Sequence, residues 1–264
     1  MGNSPLAGRT ALITGSTSGI GLGIARSLAA HGAAVIINSE EPATAGKKIA
    51  AEIAGETGAS TLFCSADVSD PEDVRDLVRT AIDWTGQIDI LVNNAGIQHV
   101  APIPEFPEAK WDAILAINLS AAFHATKAAL PGMKTRRWGR IINIASVHGL
   151  VASPFKAAYV AAKHGLIGLT KVTALECAED GITCNAICPG YVATPLVEKQ
   201  IDDQAKHHGI PRDAVIRDVI LAPQPNKQFV AIDEIAALVL YLVGESGRSV
   251  TGSALTLDGG WTAR

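Results

Sequence analysis

The chain is poor in charge, in aromatic rings and in cysteine. Charged residues make up 18% of its 264 positions and hydrophobic ones 48%, a balance that leaves little room for disordered tracts and implies a large buried core. Cations are not concentrated, with 22 Lys and Arg against 26 Asp and Glu and a net charge of −4. The one short basic run, Lys134, Arg136 and Arg137 before Trp138, reads as the cationic end of a helix, so a nucleic-acid surface is not expected. The four cysteines, Cys64, Cys177, Cys184 and Cys188, form no CxxC pair; free thiols in a reducing compartment are expected, with no metal site. The longest uninterrupted apolar run, 235–243, is nine residues, far short of the ~20 a bilayer requires. The opening MGNSPLAGRTALITG lacks the basic-then-apolar layout of a signal peptide, and Leu6 stands where a myristoylation signal needs Ser or Thr. Together these absences predict a cytoplasmic protein with no membrane, metal or nucleic-acid partner.

What is present is alternation. Short apolar runs at 10–14, 33–38, 61–65, 88–92, 140–145, 182–188 and 254–257 read as strands. Helix-period segments lie between them over 22–31, 44–57, 71–85, 108–133 and 154–178, and at 232–244 before the last strand. The pattern predicts an α/β fold, a doubly wound parallel sheet with helices on both faces and right-handed crossovers. No internal boundary or linker is visible, so residues 1–264 are expected to form one domain. Residues from about 191 to 230 break the rhythm with His207, His208, Pro211, Pro223 and Pro225. A segment hanging from the C-terminal edge of such a sheet is the natural lid over a site.

The first strand ends in Gly15-Ser16-Thr17-Ser18-Gly19-Ile20-Gly21 and a helix follows. Glycines allow the backbone to approach a pyrophosphate, and the helix N-terminus supplies unpaired N–H groups. The second strand ends in Ser39-Glu40-Glu41. An acidic residue near this position meets ribose hydroxyls and would repel a 2′-phosphate, which predicts NAD over NADP, with Glu40 as the contact. The alternative is that both glutamates cap the next helix. Asp67-Val68 closes the third strand where an adenine would lie, with Asp70 the better cap for the helix after Pro71. Asn93-Asn94-Ala95-Gly96 follows the fourth strand, and Asn118 is a lone amide in the apolar stretch ILAINLSAAF. If buried it needs partners, through a water at a helix kink or through the neighbouring strand.

From Ser146 to Lys163 the chain reads SVHGLVASPFKAAYVAAK. Residues four apart share a helix face, so Tyr159 and Lys163 project together. A cation beside a phenol favours the phenolate and lowers its pKa, which makes a general acid/base near neutral pH. Ser146, at a strand end, is placed to polarise a carbonyl or alcohol.

In this order and spacing the motifs Thr14-Gly15-x-x-x-Gly19-Ile20-Gly21, Asp67-Val68, Asn93-Asn94-Ala95-Gly96, Asn118, Ser146, Tyr159-x-x-x-Lys163, Pro189-Gly190 and Asp258-Gly259-Gly260 make the chain resemble the short-chain dehydrogenase/reductase family over essentially its whole length. The resemblance implies a Rossmann fold with a seven-stranded sheet, a homotetramer, and Asn118, Ser146, Tyr159 and Lys163 as the catalytic tetrad. It implies a nicotinamide cofactor held by Gly15, Thr17, Ser18, Gly19, Ile20, Gly21, Glu40, Asp67, Val68, Asn94, Ala95, Gly96, Tyr159, Lys163, Pro189, Gly190, Val192 and Thr194.

Four polar residues flank the tetrad in sequence: Gln98, His148, Lys156 and Gln200. A cation, an imidazole and two amides converging over the nicotinamide would suit one small carboxylate. The segments NNAGIQH, KAAYVAAKHGL and ICPGYVATPLVEKQ are similar to a bacterial subfamily that assigns these four residues to the carboxylate. The resemblance implies reversible NAD-dependent oxidation of (R)-3-hydroxybutyrate to acetoacetate. The alternatives are an NADPH-linked 3-oxoacyl thioester reductase or other short-chain alcohol dehydrogenase of the same family, and, from another class, a dinucleotide-sensing protein without catalysis.

Overall fold

Successive residues of a strand point to opposite faces of a sheet, and here both faces are apolar. In β1 (Thr10–Ile13), Ala11 and Ile13 enter one core and Leu12 the other; in β2 (Ala34–Ser39), Val35 and Ile37 oppose Ile36 in the same way. A sheet buried on both sides needs helices on both sides, as parallel strands with helical crossovers supply. The structure, a computed structural model, describes residues 4–194, 197, 198, 201, 205 and 211–263. Among them β1, β2, β3 (Thr61–Ser65), β4 (Ile90–Asn93), β5 (Gly139–Ile144), β6 (Ile182–Pro189) and β7 (Ala254–Leu257) form one seven-stranded sheet. Its order is β3-β2-β1-β4-β5-β6-β7 and every pair is parallel.

On one face lie α1 (Gly19–Ala30), α2 (Ala43–Thr57) and α7 (Ile232–Val243), which contribute Ile24, Leu28, Ile53, Ile235 and Val239 to the first core. On the other lie α3 (Pro71–Thr85), α5 (Ala121–Arg136) and α6 (Ala157–Glu176), with Leu77, Ala125, Met133 and Ala174 in the second. The expected doubly wound fold is therefore the observed one. The chain order reverses at β1, between β2 and β4, and in such sheets ligands bind outside the strand ends at that reversal.

Three local features differ from the sequence reading. The helix expected over 108–133 is α4 (Glu108–Leu115) running into α5 through a π turn, Ala116–Ser120, with Asn118 inside the turn. The whole 29-residue helix is long and apolar enough to cross a membrane by length and composition, although scattered polar residues interrupt its apolar runs. It packs against α3, α6, β4 and β5 and carries the buried amide of Asn118. The helix expected from 154 begins at Ala157, because Phe155 takes a left-handed φ of 68° and Lys156 a non-helical cap conformation. Finally, the break in rhythm after β6 is not simply polar: among its described residues, Val197, Ile201, Val215, Ile220 and Leu221 form a small apolar cluster of their own.

Asp70 caps α3 as expected, its Oδ1 accepting from Glu72 N at 2.7 Å ahead of Pro71. Loss of this bond costs about 1 kcal/mol at a typical cap.

Candidate active site

A cleft of about 430 Å³ opens over the C-terminal ends of the strands. Its first wall is the turn after β1. Gly15 and Gly19 sit at φ 59° and 54°, a region that side chains resist. A Cβ on Gly21 would strike the Gly15 carbonyl and the Asn94 side chain. Ser18 stands at the N-cap of α1 without a side-chain bond to the first turn, so the helix's leading N–H groups are left for a ligand. The ends of β1 and β4 are laced together here. Thr14 Oγ1 accepts from Asn94 N at 3.0 Å and Ala95 N at 3.1 Å, while Asn94 Nδ2 donates to Thr14 O and Gly15 O at 2.9 and 2.8 Å.

Farther along, Glu40 and Glu41 line the cleft. They do not cap α2, whose N-cap is Pro42 and whose first turn holds no acid. Asp67 and Val68 line the same end; Asp67 Oδ1 also accepts from Ser69 N at 2.9 Å. Asn38 escaped the sequence reading. It is 1% exposed, its Oδ1 accepts from Gly15 N at 3.3 Å, and its Nδ2 donates to Cys64 O and Ala66 O, both at 3.2 Å. It thus ties the glycine turn to the end of β3. The available signal was an amide closing an otherwise apolar strand.

The second wall carries Ser146, Tyr159 and Lys163. Ser146 follows β5, and its Oγ accepts from His148 N at 3.1 Å and hydrogen-bonds the Tyr159 phenol. Tyr159 and Lys163 share one side of α6. Lys163 Nζ donates to Ile144 O at 2.7 Å and lies 5.7 Å from the centre of the tyrosine ring. Burial pushes the Lys163 ammonium down to about 8, partly offset by Cys188. The Tyr159 phenol is not lowered as the spacing suggested: burial raises it, and the Ser146 hydrogen bond opposes the rise without cancelling it. In this geometry the phenol is protonated at neutral pH, because burial disfavours the phenolate.

Asn118 does not line the cleft. It is 1% exposed within the π turn, its Oδ1 accepts from Ile97 N and its Nδ2 donates to Ile97 O, each at 2.9 Å. The extra residue of a π turn re-aims one side chain, and here that side chain pins the loop after β4. Of the two roles weighed from the sequence, backbone pairing is the observed one, with the loop beyond the strand as the partner.

The same loop delivers Gln98, whose Nε2 is buried without a hydrogen-bond partner and lines the cleft with His148 and Lys156. Three of the four proposed carboxylate residues therefore converge; Gln200 lies outside the described residues. His148 is 4% exposed, with Nε2 2.9 Å from Ser153 Oγ and Nδ1 3.4 Å from Ser146 Oγ. Burial, then the Lys156 charge, pushes its pKa down to about 4, so it is neutral at pH 7. Lys156 and Lys163 are the cations among the residues lining the cleft. The sequence reading missed Trp261 as a wall. It stacks on Tyr191 at 5.7 Å and meets His148 edge-on at 5.3 Å, held by a turn in which Asp258 accepts from Gly260 N and Thr262 N at 3.0 and 2.8 Å. Its only sequence signal was its place directly after Asp258-Gly259-Gly260.

The four cysteines are free, and burial pushes the Cys184 and Cys188 thiols up to about 12 and 11, which leaves them inert as nucleophiles.

An elongated cleft with a glycine cradle and helix N-terminus at one end, and a serine, phenol and ammonium at the other, fits a nicotinamide dinucleotide. The remaining described expectations, Thr17, Ile20, Gly96, Pro189, Gly190, Val192 and Thr194, all line it, while Gly21 supports the turn from behind.

Comparison with known proteins agrees. Residues 9–205 match the short chain dehydrogenase family. A D-beta-hydroxybutyrate dehydrogenase of Cupriavidus necator is 56% identical over 259 residues, covering 98% of this chain and 100% of that protein. One from Rhizobium meliloti is 53% identical over 256 residues, covering 97% and 99%. An uncharacterized oxidoreductase of Bacillus subtilis is 47% identical over 256 residues, covering 97% and 99%.

Proposed function

The chain belongs to the short-chain dehydrogenase family, and from that premise we propose that it catalyses the reversible NAD-dependent oxidation of (R)-3-hydroxybutyrate to acetoacetate. One observation carries the reading. Gln98, His148 and Lys156 face the same cleft as Ser146, Tyr159 and Lys163, so a cation and neutral donors for a carboxylate sit beside an acid/base pair. The dehydrogenases from Cupriavidus and Rhizobium, so close over their whole length, support the same substrate.

Bound nicotinamide supplies the acceptor for the hydride from C3; the rest is the work of this chain. Ser146 Oγ holds the C3 oxygen. Tyr159 takes the hydroxyl proton in oxidation from its ionised form, reached by loss of the phenol proton to solvent, and in reduction the protonated phenol gives its proton to the ketone oxygen. Lys163, anchored on Ile144 O, holds a positive charge near the phenol and would hold the nicotinamide ribose. Lys156 meets the carboxylate charge, with neutral His148 and the unpaired Gln98 amide as hydrogen-bond donors, and Gln200 completes the set. Asn118 fixes the loop that carries Gln98. Glu40 or Glu41 meets the ribose hydroxyls, which supports NAD as the cofactor.

We further propose that residues from about 191 to 230 form a lid on this single domain, that the protein is cytoplasmic, in keeping with its free thiols, and that it assembles as a homotetramer. Val172 and Leu175 on α6 are 52% and 80% exposed and Phe123 on α5 is 46% exposed, surfaces that an assembly would cover. Light scattering tests the assembly. The activity is tested by mixing purified protein with NAD and each enantiomer: the NADH absorbance band is expected to grow with the (R) acid and not with the (S) acid. Turnover of both at equal rates, or of neither, would overturn the reading.

A further inference from the structure

Lys156 is the one proposed carboxylate contact that carries charge, yet a lysine is a compact cation on a flexible stem. In this structure its ammonium is not left to wander. Nζ donates to the Tyr191 hydroxyl at 3.2 Å and lies 5.4 Å from the centre of that ring. Tyr191 is itself held from three directions. Its ring stacks on Trp261 with the planes 19° apart. Its N–H donates to Gln224 Oε1 at 2.6 Å, and its carbonyl accepts from Val230 N at 2.9 Å. Gln224 is fully buried, and its own Nε2 donates to Gln228 O at 2.7 Å, so this anchor is rigid.

The other end of Lys156 is fixed as well. It follows Phe155, whose left-handed φ of 68° turns the chain into α6, and Phe155 O accepts from Ala101 N at 3.0 Å. That bond joins the turn to the loop bearing Gln98. Backbone and ammonium are thus placed independently, from opposite sides of the cleft.

We propose that the Tyr191 hydroxyl is a positioning group that aims the Lys156 ammonium at the substrate carboxylate, and so sets affinity for the acid without touching the reacting atoms. An ammonium has three N–H donors; one is spent on Tyr191 and two remain for the two carboxylate oxygens. The phenol also ties Lys156 to the C-terminal turn through Trp261, so a residue remote in sequence takes part in acid recognition. The inference rests on the carboxylate role given to Lys156 above.

The test is Tyr191→Phe, which keeps the ring and its stack and removes one oxygen. KM for (R)-3-hydroxybutyrate is expected to rise about tenfold, the scale of one hydrogen bond to a charged group, with kcat within about twofold and the Kd for NAD unchanged. A purely structural lesion would move the thermal midpoint and kcat together instead. With the neutral methyl ester as substrate the variant is expected to match wild type. In a Lys156→Met background, removing the hydroxyl is expected to leave kcat/KM for the acid unchanged. An unaltered KM for the acid, or an equal loss in the Lys156→Met background, overturns the proposal while the dehydrogenase reading stands. A wild-type protein inert toward both enantiomers overturns that reading, and the proposal with it.

Discussion

Asn118→Ala separates holding the site from performing chemistry in it. The side chain makes two hydrogen bonds of 2.9 Å to the two backbone groups of Ile97, and no other side chain bonds either group among the described residues. Truncation leaves one donor and one acceptor without their partner. An unsatisfied buried group costs about 1–3 kcal/mol, and Ile97 is 37% exposed, so water recovers part of it. The low end applies, about 2 kcal/mol for the pair. For a protein of this size about 2 kcal/mol corresponds to a fall in Tm of roughly 4–8 °C, readable by circular dichroism. Because Gln98 directly follows Ile97, the loosened loop also raises KM for the acid. Asn118→Asp keeps the bond from Ile97 N but sets a carboxylate against Ile97 O, and it is expected to be no more stable than the alanine variant. A variant that melts within about one degree of wild type yet has lost its turnover would refute the reasoning, since Asn118 would then act in the chemistry without holding the loop.

Four further outcomes are expected. Tyr159→Phe abolishes turnover with NAD binding nearly intact by calorimetry; near-wild-type kcat would remove the tyrosine from its acid/base role. Because burial holds the Tyr159 phenol above its usual pKa, oxidation, which needs the phenolate, accelerates as the pH rises from 7 to 10, while reduction, which uses the protonated phenol, stays level until the pH exceeds 10, measured as kcat/KM in each direction. His148 is buried with its pKa pushed down to about 4 against an unfolded value of about 6.5, so the unfolded chain binds its proton first. Its contribution is whole above pH ~6.5 and is lost as the pH falls toward ~4, about 3 kcal/mol in all. Urea midpoints against pH are expected to flatten over that window in His148→Gln. Replacing Glu40 and Glu41 together by Gln lowers the preference for NAD over NADP, read as the ratio of kcat/KM values; an unchanged ratio would place cofactor discrimination elsewhere.

The sheet was legible because parallel strands buried on both faces are written as short, continuous apolar runs. The runs at 61–65 and 254–257 match β3 and β7 residue for residue. The glycine-turn end of the cleft was legible for a related reason. Glycines with left-handed φ and an amide pair at a strand end are local requirements, and local requirements leave local marks. What stayed hidden depended on contacts between distant segments. Asn38 looks like any strand-end amide until folding brings Gly15 and Ala66 beside it. Tyr191 and Trp261 are 70 residues apart in the sequence, and nothing in either local pattern announces that they stack. The π turn is invisible because its sequence, AINLS, is ordinary helix. The Tyr159 pKa misled because the i,i+4 spacing reports a neighbouring cation and says nothing of the burial that raises the phenol.

The central claim is that this cleft moves the C3 hydrogen of (R)-3-hydroxybutyrate to nicotinamide under the control of Tyr159. The measurement that bears on it most directly is mass spectrometry of the reduced cofactor after incubation with NAD and the (R) acid carrying deuterium at C3. The account predicts one deuterium per reduced nicotinamide with the wild-type protein, no labelled product from the (S) acid, and none with Tyr159→Phe. Reduced cofactor without label, or label from both enantiomers alike, would contradict it.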